Sequence, residues 1–238
     1  MCRFRMGTVM VLAAAVCVAS SHVGSATAAE AKVKTLLLVG GSIHDWKGIG
    51  GVVERELDKS GRFAVTRVND DLNALRPAEI APYKLIVFYW TLGKLTPEQK
   101  EGILGHIKAG AGLVTFHSGA DSFRGDHQWH ELVGGHFVTH PHYRQYQVSI
   151  TEVPSPITKG IDEYMTTDEQ YILDYDKDNI TVLGNGVYKG KLMPALWVKS
   201  YGKGRVFYDS GGHDVKAVEQ PIFKKLFIRG CLWASGQE

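Results

Sequence analysis

The histidines of this chain stand where strand-like runs end, and that placement is its strongest chemical signal. His117 closes the apolar run Gly112-Leu113-Val114-Thr115-Phe116, and His213 follows Gly211-Gly212 after the run from Gly204 to Ser210. His140 and His142 flank Pro141, while His44 follows the first apolar run and precedes Asp45-Trp46. An imidazole titrates at about pH 6.5, so small shifts make it an acid, a base or a neutral metal ligand. Open α/β sheets gather their ligands at the carboxyl ends of the strands, where these rings would lie. His117, His213 and His140 are therefore the candidate catalytic residues, with His44 as a substrate contact. The competing reading of His117 is a core histidine satisfied by hydrogen bonds. For His44 it is a plain surface loop.

His140 and His142 are two residues apart, so in extended chain both rings project to one side, and Pro141 favours extended geometry at His140. That spacing could hold a divalent metal such as zinc, with His44, His117, His213 or Asp214 supplying a further ligand. The alternative is one functional histidine and one exposed one. Ser118-Gly119 resembles the strand-to-helix elbow that carries a nucleophile, but Phe116 stands where the elbow has glycine. Ser118 is then a hydroxyl that contacts substrate or caps a helix.

Asp168 and Glu169 are adjacent, and neighbours on a strand face opposite ways. At most one carboxyl enters a site; Glu169 is the candidate, with Tyr171 on its face. Asp214 is a candidate contact that could instead orient a neighbour or cap a turn. Trp90 ends the run from Lys84 and either floors the site or packs in the core. His106, His127 and His130 read as surface positions, and Cys231 as a structural thiol in an amphipathic helix. Gly48-Ile49-Gly50-Gly51 lacks the third glycine of a dinucleotide loop, and no phosphate-cradling loop is present.

The elements that must carry these residues alternate. Lys34–Gly40, Phe63–Val68, Lys84–Trp90 and Gly112–Phe116 read as strands, the apolar runs among them being buried. Between them lie a helix containing Val52, Val53 and Leu57 and ending at Gly61, and a second opened by Thr96-Pro97-Glu98-Gln99. That tetrapeptide is a capping box with proline at the first helical position. Strand and helix in alternation predict right-handed crossovers and a doubly wound parallel sheet. From Tyr146 onward, the shorter runs Gln147–Ile150, Gln170–Tyr175, Ile180–Leu183, Ala195–Lys199 and Arg205–Asp209 read as an antiparallel extension. Pro221 starts a final helix burying Phe223, Leu226, Phe227 and Trp233.

Residues 1–28 read as a secretory leader, with Arg3 and Arg5, an apolar stretch to Ala19 and a small-residue cleavage site at Ala26-Thr27-Ala28. The remaining residues, 29–238, are the right size for one α/β domain. Losing Arg3 and Arg5 leaves the bases equal to the 25 acids. A neutral chain without dense basic clusters argues against a nucleic-acid partner or a membrane surface. With Cys2 and Cys17 in the leader, Cys231 has no partner for a disulfide. An exported protein, periplasmic or extracellular, is the expectation.

The pattern resembles the ThuA-like (trehalose utilisation) family. The matching stretches are Gly112–Gly119, Glu131–Phe137, His140-Pro141, Pro156–Gly160, Asp168–Tyr171, Pro194–Trp197, Tyr201–Tyr208, Gly212-His213-Asp214 and Arg229–Ala234. The resemblance implies a fold like that of the class I glutamine amidotransferases: flavodoxin-like, with the antiparallel extension. It does not imply amidotransferase activity, because His117-Ser118 occupies the turn where those enzymes carry cysteine. What it does imply is a role in carbohydrate use, on disaccharides or their keto derivatives; histidines moving protons next to a sugar carbonyl or hydroxyl fit isomerisation, elimination or hydrolysis alike. The rival expectation is a non-catalytic sugar-binding or accessory protein, with Trp46, Trp90 and Tyr143 as stacking platforms.

Overall fold

The structure, a computed structural model, describes residues 1, 2, 7 and 31–237. The leader expected over residues 1–28 lies outside the described residues apart from those three. Among the described residues no helix is long and apolar enough to cross a membrane.

The elements run β1 (Val33–Gly41), α1 (Trp46–Ser60), β2 (Phe63–Asn69), α2 (Pro77–Ile80), β3 (Leu85–Thr91), α3 (Pro97–Ala109) and β4 (Gly112–Phe116). A 3₁₀ turn at His117–Asp121 leads to α4 (His127–Val133), β5 (Gly135–Thr139), β6 (Arg144–Ile150), β7 (Glu163–Asp168), β8 (Ile172–Tyr175) and β9 (Thr181–Tyr188). The chain finishes with β10 (Lys191–Tyr201), β11 (Gly204–Asp209), α5 (Val215–Glu219) and α6 (Pro221–Ser235).

Nine strands form one sheet in the order β2-β1-β3-β4-β11-β10-β9-β6-β7. The first five are mutually parallel, and the remainder pair antiparallel. β3 is buried at every position because helices cover both faces, which explains its unbroken apolar run. One face carries Leu37, Val87, Tyr89, Phe116 and Phe207 against α1 and α6. The other carries Leu36, Phe88, Trp90 and Tyr208 against α3 and α4. The capping box forms as its spacing requires: Thr96 Oγ1 accepts from Gln99 N at 3.3 Å, and Gln99 Oε1 from Thr96 N at 2.9 Å.

Two expectations are corrected. Arg205–Asp209 does not belong to the antiparallel extension, because β11 pairs parallel with β4 and is the fifth parallel strand. The hairpin through Gly202 makes it antiparallel only to β10. Gln170–Tyr175 does not extend the main sheet either: β8 pairs with β5 in a separate two-stranded ribbon. Apolar pattern specifies that a segment is a strand but not which neighbour it takes. The structure adds β5 and β7, strands absent from the sequence expectation; their partly exposed residues give a weak signal.

Candidate functional site

The carboxyl ends of β1, β3, β4 and β11 converge on one cluster of rings. His117 is the first residue after β4 and is fully buried, with φ 41°. A left-handed backbone at a non-glycine residue costs about 1–2 kcal/mol, so the surroundings must impose it. They do so from β11: the Tyr208 hydroxyl donates to His117 O at 2.9 Å, and His117 Nδ1 lies 3.0 Å from Ser210 O. The turn is tight enough that a Cβ on Gly119 would come within 1.8 Å of Thr115 Oγ1. Only glycine fits there. Beside it the Ser118 hydroxyl is buried without a hydrogen-bond partner.

His44 follows β1 in the loop to α1, and its Nδ1 lies 2.8 Å from Thr91 Oγ1 at the end of β3. Its ring centroid is 5.0 Å from that of His117 and 5.1 Å from that of His213. His213 follows β11, in a loop where Gly212 has φ 110°. That conformation turns two successive N–H groups toward one carboxylate: Asp168 Oδ2 accepts from Gly212 N at 2.6 Å, and Oδ1 from His213 N at 3.2 Å.

Asp168 ends β7, and Glu169 lies past the strand, freed from its alternation. Asp168 Oδ1 also accepts from Glu169 N at 2.8 Å, so one carboxylate fixes both the Glu169 and the His213 segments. Glu169 Oε2 stands 3.0 Å from His213 Nδ1 and 3.6 Å from His117 Nε2, while Oε1 is 3.5 Å from His140 Nδ1. Tyr171 lies against His117 with centroids 3.9 Å apart, and Phe137 packs on Tyr171 at 4.4 Å. The His213 and His140 side chains are 29% and 36% exposed, against 0% for His117. The cluster therefore opens to solvent on the His213 and His140 side, with His117 as its floor.

Burial, reinforced by the neighbouring rings of His117 and His213, holds the His44 imidazole down at about 3. Burial also lowers His117, against the opposing pull of Glu169 and the Ser210 carbonyl. Burial alone would raise the Glu169 carboxyl, but the adjacent rings of His117, His213 and His140 outweigh it and hold it low. The neutral rings of His44 and His117 thus stand beside a charged carboxylate. Asp168 is different: burial pushes it up to about 7 against its three backbone donors.

Other expected residues fall elsewhere. Trp90 points away from the cluster, because alternation along β3 sends Tyr89 and Thr91 to the histidine face and Phe88 and Trp90 to the other. Trp90 is 6% exposed and packs in the second core beside Phe88. It does not floor this site. Asp214 caps α5, accepting from Ala217 N at 2.8 Å, and receives the Tyr143 hydroxyl at 3.4 Å at the rim. His140 joins the cluster through Glu169, but His142 is exposed and outside it, so the expected His140/His142 metal pair is not what the chain assembles. Among the described residues, the donors that approach one another are His44, His117, Glu169 and His213, one atom of each lying within 4.8 Å of the other three. Sequence spacing missed the part played by Thr91, Ser210 and Asp168. Cys231 is buried in α6, and burial pushes its thiol up, as a structural cysteine requires.

The fold is shared with solved structures. A ThuA-like protein from Parabacteroides merdae ATCC 43184 superposes with a TM-score of 0.77 at 20% identity, covering 86% of this chain and 90% of that one. A ThuA-like protein from Bacteroides uniformis ATCC 8492 gives 0.74 at 17% identity, covering 88% and 94%. A cold-adapted β-galactosidase from Rahnella sp. R3 gives 0.63 at 14% identity, covering 87% of this chain but 32% of that enzyme. No curated protein matches the chain. The family model described as ThuA, trehalose utilisation, matches residues 20–234, and the chain therefore belongs to the ThuA family.

Proposed function

We propose that this chain is an exported enzyme of carbohydrate use that moves a proton on a keto-sugar, with His44, His117, His140, Glu169 and His213 as its site. The observation that carries the reading is the convergence of three histidines from separate strand ends on one carboxylate. Neutral imidazoles accept protons, and an anionic Glu169 beside them steadies the imidazolium that forms. Glycoside hydrolysis ordinarily needs two carboxylates flanking the bond. Here Asp168 is committed to backbone N–H groups and Asp214 to its helix cap. Proton transfer beside a sugar carbonyl, leading to isomerisation or elimination, is what the remaining residues serve. The leader-like residues 1–28 would place the reaction in the periplasm or outside the cell.

The test is incubation of the purified chain in deuterated water with disaccharides and their keto derivatives, read by mass spectrometry. Deuterium should enter the keto-sugars beside the carbonyl, and the unoxidised disaccharides should stay intact. Hydrolysis of unoxidised disaccharides without exchange would replace this reading with a hydrolase. Binding without exchange or product would replace it with a sugar-binding accessory protein.

A further inference from the structure

We infer that His44, His117, His213 and Glu169 bind one divalent transition-metal ion; the inference rests on the reading above for the ion's task but not for its binding. His117 Nε2 and His213 Nδ1 are buried and make no hydrogen bond of good geometry, the group nearest to both being the Glu169 carboxylate. Leaving such atoms unmatched is costly, and both belong to the group whose donor atoms lie within 4.8 Å of one another. The Glu169 Oε2 separations of 3.0 and 3.6 Å from those nitrogens bracket the spacing of about 3.3 Å between ligands at 2.0–2.1 Å from a tetrahedral centre.

The outer partners point the same way. A histidine ligand ordinarily donates its second ring N–H to a fixed acceptor, which sets the tautomer and aims the other nitrogen at the metal. His117 Nδ1 meets the Ser210 carbonyl and can only donate to it, so its proton sits there and the Nε2 lone pair faces the cluster. His44 Nδ1 lies 2.8 Å from Thr91 Oγ1, a hydroxyl that can accept from it or donate to it and so holds the ring in place. His140 stands beside the carboxylate's other oxygen. Three imidazoles and one carboxylate favour zinc, nickel, cobalt, iron or manganese over calcium and magnesium, which prefer oxygen cages. Such a set leaves one positive charge on the ion, and a fifth ligand could approach it from the side of the site that opens toward His140 and solvent. There the ion would polarise a sugar carbonyl.

The experiment is calorimetric titration of the chelator-stripped, dialysed full chain with zinc and manganese chlorides, with elemental analysis and thermal unfolding of the same samples. One equivalent per chain and a rise in Tm are expected. Glu169→Gln and His44→Gln should abolish saturable binding. Thr91→Val should weaken it by about 10–100-fold. His142→Ala and His130→Ala should leave it unchanged; the latter probes the surface rings of His130 and His136, stacked at 4.4 Å. Absence of saturable binding in folded protein, or binding lost with His130→Ala and kept in Glu169→Gln, overturns the inference. Deuterium exchange undiminished in stripped protein removes the ion's task, whereas metal binding without exchange removes the sugar reading and keeps the site.

Discussion

The parallel half of the sheet supplies three of the rings and the antiparallel half brings the carboxylates, and the two are held in place by different forces. His117 follows Phe116 at the end of a strand buried at all five positions, so the apolar core sets where its ring goes. The β6 strand is exposed at alternate positions, and Glu169 is located by the hydrogen bonds of Asp168 rather than by packing. A ring placed by a core is hard to move without unfolding the protein. A carboxylate placed by a polar clasp can be loosened alone, and variants on the two sides should separate chemistry from stability accordingly.

The largest effect is expected at Glu169. Glu169→Gln keeps the shape and removes the charge, so deuterium exchange into keto-sugar should fall by about 10²–10⁴-fold. Thermal unfolding should hardly move, because the amide fills the same space as the carboxylate it replaces. Unchanged exchange would separate the antiparallel half from the chemistry.

Next is Asp168→Asn. An amide offers one acceptor where the carboxylate serves three N–H groups, so the variant should lose about 1–3 kcal/mol. Exchange per folded molecule should fall with it, since the His213 and Glu169 segments lose their common anchor. A stability loss with full activity would show that the clasp is only structural.

Asp209 gives a smaller, pH-dependent effect. Burial pushes its carboxyl up to about 7, and it shares a small enclosed space with Asp168, Tyr146 and Tyr164. The unfolded value is about 3.9. Between these values the folded chain keeps a proton that the unfolded chain has lost, so stability falls as pH rises from about 4 to about 7, and the penalty is complete above that. Asp209→Asn should therefore be stabilising at pH 8, on the order of 1 kcal/mol or about 2–4 °C in Tm, and near neutral at pH 4. Equal shifts at both pH values would contradict the assignment.

Trp90→Phe should do least. It removes a buried indole N–H that has no partner, so stability should stay within about 1 kcal/mol and exchange should be unchanged. Loss of exchange would return Trp90 to the site.

The same contrast explains what could be read from the chain. Continuous apolar runs announced β1, β3 and β4, and Thr96 with Gln99 announced the start of α3, because burial and capping are local in sequence. The strand-end positions of His44, His117 and His213 followed from that. The sheet position of β11 was not legible, since its pattern is equally good beside a parallel or an antiparallel neighbour. Trp90 stays open between site and core when the end of its strand is read without its alternation, and it packs in the core. Glu169 was legible as a residue, but its meeting with His117 across β7 and the parallel half depends on long-range pairing. Asp168 looked like a competitor for the site and is instead its anchor.

The central claim, that His117 is the floor of a reactive cluster rather than a satisfied core residue, is tested by one paired measurement on His117→Asn: thermal unfolding beside deuterium exchange into keto-sugar. Asparagine keeps a polar side chain and removes the ring. The account predicts a folded protein with exchange reduced by about 10²-fold or more. A loss of about 1–3 kcal/mol in stability with unchanged exchange per folded molecule would contradict it.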